Sequence, residues 1–127
     1  MSVMQQVNRM IGERMAASGR MAMIETTGRR SGQPRRTPVG YVRNPDGTIW
    51  LGAGRVESQW PKNLLANPRC RVRIGDDEVP CEATELVAER RARAVAAIHA
   101  KYGGPALRVG TGPVFELRPL GEGKAAA

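Results

Sequence analysis

Two segments with the pattern of β-hairpins constrain the fold of this chain more than any other feature. In residues 37–54, two runs rich in β-forming residues are joined by Asn-Pro-Asp-Gly at residues 44–47, a sequence that favours a tight turn. In residues 70–86, the first five residues alternate Cys, Val and Ile with arginine, which is the inside–outside pattern of a strand. Because hairpins pair their strands in opposite directions, the sequence predicts a mostly antiparallel sheet.

Helices are predicted at three places around this sheet. Apolar residues at helical spacing occur in the first segment, residues 3–17; they are Val3, Met4, Val7, Met10, Ile11 and Met15. A short helix is predicted over residues 60–67, with Pro61 in its first turn and Asn67-Pro68 at its end, and a third helix spans residues 88–102.

Two further strands are predicted at residues 20–27 and 112–120. The order of elements predicts an α+β fold with about six strands, in which the sheet could close as a small barrel. We expect one domain over residues 1–127, with an N-terminal helix at 1–17 and a frayed tail at 121–127.

Composition limits the chemistry that the chain can perform by itself. The two cysteines and the single histidine lack the spacing of a metal site, so we expect no metal. One histidine also gives no basis for a catalytic triad. Neither a long apolar run nor the pattern of a secretory signal occurs, and we therefore expect a cytoplasmic protein. An enzyme of this composition needs a bound cofactor to supply its chemistry.

Residues 28–36 form a basic segment, GRRSGQPRR, in a chain whose net charge is +8. Gly28 and Gly32 allow the backbone to turn and expose its amides, Ser31 adds a hydroxyl, and the four arginines add forked cationic donors. Such a loop suits a phosphate or several carboxylates. The alternative interpretation is a solvated, charged connection between strands.

Two motifs carry a resemblance to a known family. Residues 26–42, TTGRRSGQPRRTPVGYV, followed by residues 60–74, WPKNLLANPRCRVRI, resemble the deazaflavin-dependent nitroreductase and quinone reductase family of actinobacteria. The resemblance implies a split β-barrel with an N-terminal helix and two further helices. It also implies binding of coenzyme F-420, a deazaflavin whose tail carries a phosphate and several glutamates. The implied activity is transfer of hydride from the reduced cofactor to an electron-poor acceptor such as a quinone, an enone or a nitro compound.

The resemblance also implies roles for particular residues. The basic loop would hold the cofactor tail through Arg30, Ser31 and Arg35, helped by Arg29 and Arg36. Other residues would surround the phosphate and the ring: Pro38, the backbone of Gly52, Ala53, Gly54, Arg55 and Val56, and the side chains of Gln59, Trp60 and Asn63. Trp60 is equally well explained as a core residue. The hydroxyl of Tyr102 is the candidate catalytic group.

Alternatives remain open from the residues alone. One is an FMN-binding oxidoreductase of the same fold, although a single phosphate needs fewer arginines. Another is a basic nucleic-acid-binding module, which we rank lower because the few aromatic residues do not alternate with the basic loop. We expect a small-molecule acceptor as partner and no nucleic acid.

We also expect the apolar stripe of the first helix to dock on the protein or on a second subunit of a homodimer. The alternative is a membrane surface, with Arg9 and Arg14 contributing.

The cysteines are expected on neighbouring strands of the second hairpin, and their pairing depends on where its turn closes. A turn centred on Asp76-Asp77 places Cys81 opposite Val72, whereas a turn one residue earlier places it opposite Cys70. We expect both thiols to stay reduced.

Overall fold

The computed structural model describes residues 3–121, which form three α-helices and seven β-strands. Met1, Ser2 and most of the predicted tail, residues 122–127, lie outside the described residues. The helices are α1 (Val3–Ala17), α2 (Gln59–Ala66) and α3 (Ala88–Tyr102), and a 3-10 turn spans Gly104–Ala106. The strands are β1 (Ala22–Thr27), β2 (Pro34–Val39), β3 (Tyr41–Arg43), β4 (Ile49–Gly52), β5 (Arg69–Ile74), β6 (Asp77–Glu85) and β7 (Val114–Pro119).

All seven strands belong to one antiparallel sheet with the order β2-β1-β5-β6-β7-β4-β3. The two edge strands, β2 and β3, are consecutive in the chain and are separated only by Gly40. The sheet must therefore curl until its edges approach each other, which confirms the expected α+β fold of split-barrel type. A Cβ atom at Gly40 would lie 3.2 Å from the ring of Tyr102, so a glycine suits this corner.

The strand count differs from the expected six because the first predicted hairpin is divided. The sequence predicts that the run before the Asn-Pro-Asp-Gly turn, residues 37–43, is one strand that pairs across this turn. In the structure only Tyr41–Arg43 pairs with β4, while Pro34–Val39 pairs with β1. As a consequence, Arg35 and Arg36 belong to strand β2 and not to a loop.

The main core fills the concave side of the curled sheet. Alternate residues of β1, β4, β5 and β7 point into it, among them Ile24, Leu51, Val72 and Phe115. The indole ring of Trp60 from α2 packs against the ring of Phe115, with 5.7 Å between their centroids. This contact fixes the short helix α2 against one end of the core.

Helix α1 docks through a face that the sequence pattern did not indicate. Among the α1 residues whose burial the structure describes, Gly12 and Ala16 are the buried ones, and a Cβ atom at Gly12 would lie only 2.6 Å from Cγ of Pro38 on β2. Four residues of the apolar stripe, Val3, Val7, Met10 and Ile11, are exposed, and Met15 is partly buried. The prediction that this stripe docks on the protein itself is therefore wrong for the single chain, while contact with a second subunit or a membrane stays a prediction. None of the described helices is both long and apolar enough to cross a membrane.

The second hairpin closes in the earlier of the two registers considered. Ile74 lies opposite Asp77, and Gly75 adopts the left-handed region with φ of +60°. A glycine reaches this conformation at no steric cost, which favours the tight turn over Gly75 and Asp76. Cys70 consequently lies directly opposite Cys81, and both are free thiols in the buried interior.

Candidate functional site

A cleft of about 850 Å³ opens between α1, α2 and the edge strand β2. Helix α1 contributes Arg9 and Glu13, and α2 contributes Gln59, Trp60 and Asn63. Strand β2 and the loop before it supply most of the remaining lining. The volume lies in the range of pockets that hold drug-sized ligands and cofactors.

The electrostatic character of the cleft is strongly positive. Five arginines line it: Arg9, Arg29, Arg30, Arg35 and Arg36. Among the described lining residues the only carboxylate is that of Glu13. Guanidinium groups pair bidentately with phosphate and carboxylate oxygens. The cleft is therefore suited to a ligand with several negative charges.

An apolar surface lies beside these charges. Met23, Pro38 and Trp60 line the same cleft, and the side chains of Met23 and Trp60 are largely buried. Trp60 belongs to the core and also lines the cleft, so its two interpretations are compatible. An apolar surface next to a group of arginines fits a ligand with a flat ring at one end and an anionic chain at the other.

Arg29 is held in place by α2 through three hydrogen bonds. Its backbone amide and its Nη1 atom both donate to Oδ1 of Asn63, at 3.2 and 2.9 Å. Its Nη2 atom donates to Oε1 of Gln59 at 2.8 Å. Because Gln59 and Asn63 are four residues apart, they lie on the same face of α2. The three predicted site residues are thus brought together in one cluster.

The loop before β2 is ordered by its own backbone. The amide of Gly28 donates to the carbonyl of Gln33, and the amide of Gly32 donates to the carbonyl of Gly28, both at 2.8 Å. The Ser31 hydroxyl accepts from the amide of Gln33 at 3.1 Å and lies 3.5 Å from Nη2 of Arg35. The predicted residues Arg30 and Ser31 therefore stand at the cleft on a preformed turn, and Arg35 lines the same cleft from the start of β2.

Arg36 differs from its neighbours because it has a partner within the sheet. Its Nε atom donates to Oε2 of Glu25 at 2.9 Å, across the β1–β2 pair. This bond, together with the charge of Glu25, raises the pKa of Arg36 above its ordinary value. Arg36 lines the cleft, but part of its donor capacity is used by Glu25.

The segment from Gly52 to Val56 does not line the cleft with the basic loop. The amide of Ala53 donates to the carbonyl of Pro113 at 2.9 Å, and the hydroxyl of Thr111 donates to the carbonyl of Gly54 at 3.2 Å. The segment therefore packs on the connection that precedes β7. Its expected contact with a phosphate stays a prediction.

Tyr102 also lies away from the cleft lining. Its hydroxyl donates to the carbonyl of Arg20 at 2.6 Å and accepts from the amide of Tyr41 at 3.1 Å. Burial raises the pKa of this phenol, which keeps it protonated and able to donate. The structure shows a residue that joins elements, and its catalytic role stays a prediction.

Sequence reasoning missed the contributions of α1 and β1 to the site. Arg9 and Glu13 are four residues apart on α1 and lie on the face that carries Gly12 and Ala16. Recognition of Gly12 and Ala16 as a close-packing face would have pointed to this pair. Met23 gave no such signal, because it reads as an ordinary strand residue.

Similarities to known proteins agree with the geometry of the cleft. A model of the F420H(2)-dependent quinone reductase family matches residues 1–114. The chain belongs to this family. A putative F420H(2)-dependent quinone reductase of Mycobacterium tuberculosis is 31% identical over 74 residues, which cover 56% of this chain and 62% of the relative. The chain thus matches less than two thirds of the length of that relative.

Solved structures with the same fold include one named F420-H2 dependent reductase. It is 25% identical with a TM-score of 0.64, and the match covers 78% of this chain and 94% of that protein. A second structure, described as a domain-swapped dimer, is 25% identical with a TM-score of 0.66 and covers 92% and 100% of the two chains. Membership of the F420H(2)-dependent quinone reductase family agrees with a cleft suited to a polyanionic ligand.

Proposed function

We propose that this protein binds coenzyme F-420 in the cleft between α1, β2 and α2 and acts as an F-420-dependent reductase. The observation that carries the proposal is the placement of five arginines around an apolar surface in one cleft. Family membership and the names of the relatives support the same cofactor. The acceptor would be an electron-poor small molecule, such as a quinone, an enone or a nitro compound.

The residues of the cleft fit this cofactor. Its flat ring needs an apolar surface, which Pro38, Met23 and Trp60 provide. Its tail carries a phosphate and several carboxylates, which match the forked donors of Arg30 and Arg35. FMN has a single phosphate, and no observation favours it over the more highly charged cofactor.

Reduced F-420, when bound, supplies the hydride that an acceptor takes up. The protein itself binds and orients. Arg30 and Arg35 would hold the tail by charge-assisted hydrogen bonds, and Arg29 would present donors that α2 has already fixed in position. Helix α1 forms one wall and shields the apolar surface from water, because Gly12 allows it to lie directly on Pro38.

Equilibrium binding of F-420, FMN and a random oligonucleotide to the purified protein, at one fixed salt concentration, tests the proposal. We expect F-420 to bind at least tenfold more tightly than the other two, which corresponds to about 1.4 kcal/mol. Oxidation of reduced F-420 by a soluble quinone should then proceed only with the protein present. Equal or tighter binding of FMN would identify a flavin enzyme, and preference for the oligonucleotide would refute an F-420 site.

A further inference from the structure

A chain of hydrogen bonds runs from the core to the cleft and contains two almost fully buried polar side chains. Thr26 on β1 is 1% exposed and Asn63 on α2 is 3% exposed. The Nδ2 atom of Asn63 donates to Oγ1 of Thr26 at 3.2 Å. On its other side, Oδ1 of Asn63 accepts from the backbone amide and from Nη1 of Arg29. The chain therefore ends at a cationic group in the cleft.

The two donors of Arg29 decide which way the Asn63 carboxamide faces, and the hydroxyl of Thr26 holds its other end. An amide has donors on one side and an acceptor on the other, and the two orientations have nearly the same shape. With Nδ2 directed at the hydroxyl of Thr26, Oδ1 faces the two donors of Arg29. The reversed orientation would place the amino group of Asn63 against those donors, which would lose their acceptor. The hydroxyl of Thr26 can accept from Nδ2 or donate to Oδ1, so it anchors the carboxamide in either orientation. Every buried polar side-chain atom in the described part of the chain has a partner, which supports the observed orientation.

We propose that Thr26 is a positioning residue for the cofactor site, acting through Asn63 to hold the guanidinium of Arg29 ready for an anionic group. The proposal rests on the proposed function, because it assigns the ligand as the polyanionic cofactor. Asn63 and Gln59 accept from different nitrogens of the guanidinium, and the other N–H donors of Arg29 remain for the ligand. A long side chain that is ordered before the ligand arrives loses less conformational freedom on binding, and the affinity is correspondingly higher.

The competing explanation is that Thr26 is only a core residue. Both explanations predict some change of stability when Thr26 is replaced, so stability cannot separate them. They differ in whether the effect on binding depends on Arg29. A double-mutant cycle measures this dependence directly.

The test uses Thr26→Val, which keeps the shape and removes the acceptor, and Thr26→Ser, which keeps the hydroxyl. Each is made in the parent and in an Arg29→Ala background, and F-420 binding is measured by calorimetry. Ile24→Val is the matched control, because Ile24 is buried on the same face of β1 and has no place in the hydrogen-bond chain.

We expect Thr26→Val to weaken F-420 binding about tenfold, and Thr26→Ser and Ile24→Val to stay within about twofold of the parent. In the Arg29→Ala background, Thr26→Val should cause no further loss. The proposal is overturned if Thr26→Val binds like the parent, or if its effect is equally large without Arg29.

A second readout needs no cofactor and separates this proposal from the proposed function. In the ligand-free parent, the ordered guanidinium of Arg29 should give a resolved ¹⁵N–¹H NMR signal, assigned by its loss in Arg29→Ala. Thr26→Val should broaden or shift this signal, and Thr26→Ser should retain it. If the parent does not bind F-420 but the signal responds in this way, the function is wrong and the positioning role stands. An unchanged signal in Thr26→Val refutes the positioning role, whatever the protein binds.

Discussion

The hydroxyl of Tyr102 lies 2.6 Å from the carbonyl oxygen of Arg20 and so joins the end of α3 to the turn between α1 and β1. The same hydroxyl accepts from the amide of Tyr41, whose own hydroxyl donates to the carbonyl of Gly19 at 2.7 Å. The two tyrosines thus fix the start of β1 relative to the β2–β3 corner. Because α1 forms a wall of the cleft, this contact also helps to set the shape of the site.

Replacement of Tyr102 by phenylalanine removes the hydroxyl and keeps the ring against Gly40. We expect the free energy of unfolding to fall by about 1–2 kcal/mol, since two hydrogen bonds to the backbone are lost. Urea denaturation measures this, with Tyr41→Phe as a control that loses one bond, to Gly19. If the hydroxyl also acts on the acceptor, as expected from the resemblance, turnover will fall while F-420 binding stays unchanged. Parent-like stability in Tyr102→Phe would contradict the structural role.

Arg35 and Arg36 are adjacent in sequence but should differ in their effect on the cofactor. We expect Arg30→Ala and Arg35→Ala to weaken F-420 binding roughly ten- to a hundredfold, since each removes charge-assisted hydrogen bonds worth about 1.5–3 kcal/mol. Arg36→Ala should have a smaller effect, because Glu25 already uses its Nε donor.

Calorimetric titration with full-length F-420 and with a deazaflavin that lacks the tail provides the comparison. The truncated compound should bind the parent and the arginine variants alike, and added salt should weaken only the full-length cofactor. Equal binding of full-length F-420 by Arg30→Ala, Arg35→Ala and the parent would show that the basic segment is only a charged connection.

The two thiols should be unreactive in the folded protein. Burial raises the pKa of Cys70 from 9.0 to about 12 and that of Cys81 from 9.0 to about 11. Neither forms the reactive thiolate near neutral pH. In protein purified without oxygen, a thiol reagent at pH 8 should modify both cysteines in denaturant and neither in the native state. Finding no free thiols in denaturant would contradict the expectation that they stay reduced.

The same shifts predict how stability depends on pH. Above pH 9 the unfolded chain releases thiol protons that the folded chain retains until about pH 11 to 12. The buried, protonated thiols therefore stabilise the folded state fully below pH 9, and this stabilisation is lost as the pH rises above 9. Urea denaturation at pH 8 and pH 10.5 should show this decrease, and Cys70→Ala should show less of it. An equal decrease in both proteins would assign the effect to other groups.

The exposed apolar stripe of α1 should mediate contact between two copies of the chain. Val3, Val7, Met10 and Ile11 share one face of the helix and leave a row of large apolar side chains in water. We expect sedimentation to show a dimer and the double variant Val7→Ser/Ile11→Ser to be a monomer. The parent and the variant should both fail to sediment with anionic liposomes. Lipid binding that the double variant loses would instead identify a membrane-facing helix.

Local patterns in the sequence were sufficient to predict the three helices and most of the strands. The Asn-Pro-Asp-Gly turn, the alternation in β5 and the Pro-bounded helix α2 depend on the conformational preferences of a few neighbouring residues, and each appears in the structure. The glycines and arginines of residues 28–36 suit an anion, because charge and backbone freedom are properties of the residues themselves, and all four arginines of this segment line one cleft. Anion binding by this segment stays a prediction.

Contacts between distant segments were decided only by the tertiary structure. The apolar stripe of α1 does not pack on the rest of the chain, because burial there depends on how closely Gly12 can approach Pro38 rather than on hydrophobicity. Gly75 selected one of two registers and so placed Cys70 opposite Cys81. Thr26 and Asn63 are ordinary residues in isolation and become a positioning chain only where β1 and α2 meet beside Arg29. Sequence determines what each residue can offer, whereas the fold decides which partner it meets, because packing and hydrogen bonding require complementary shapes at short range.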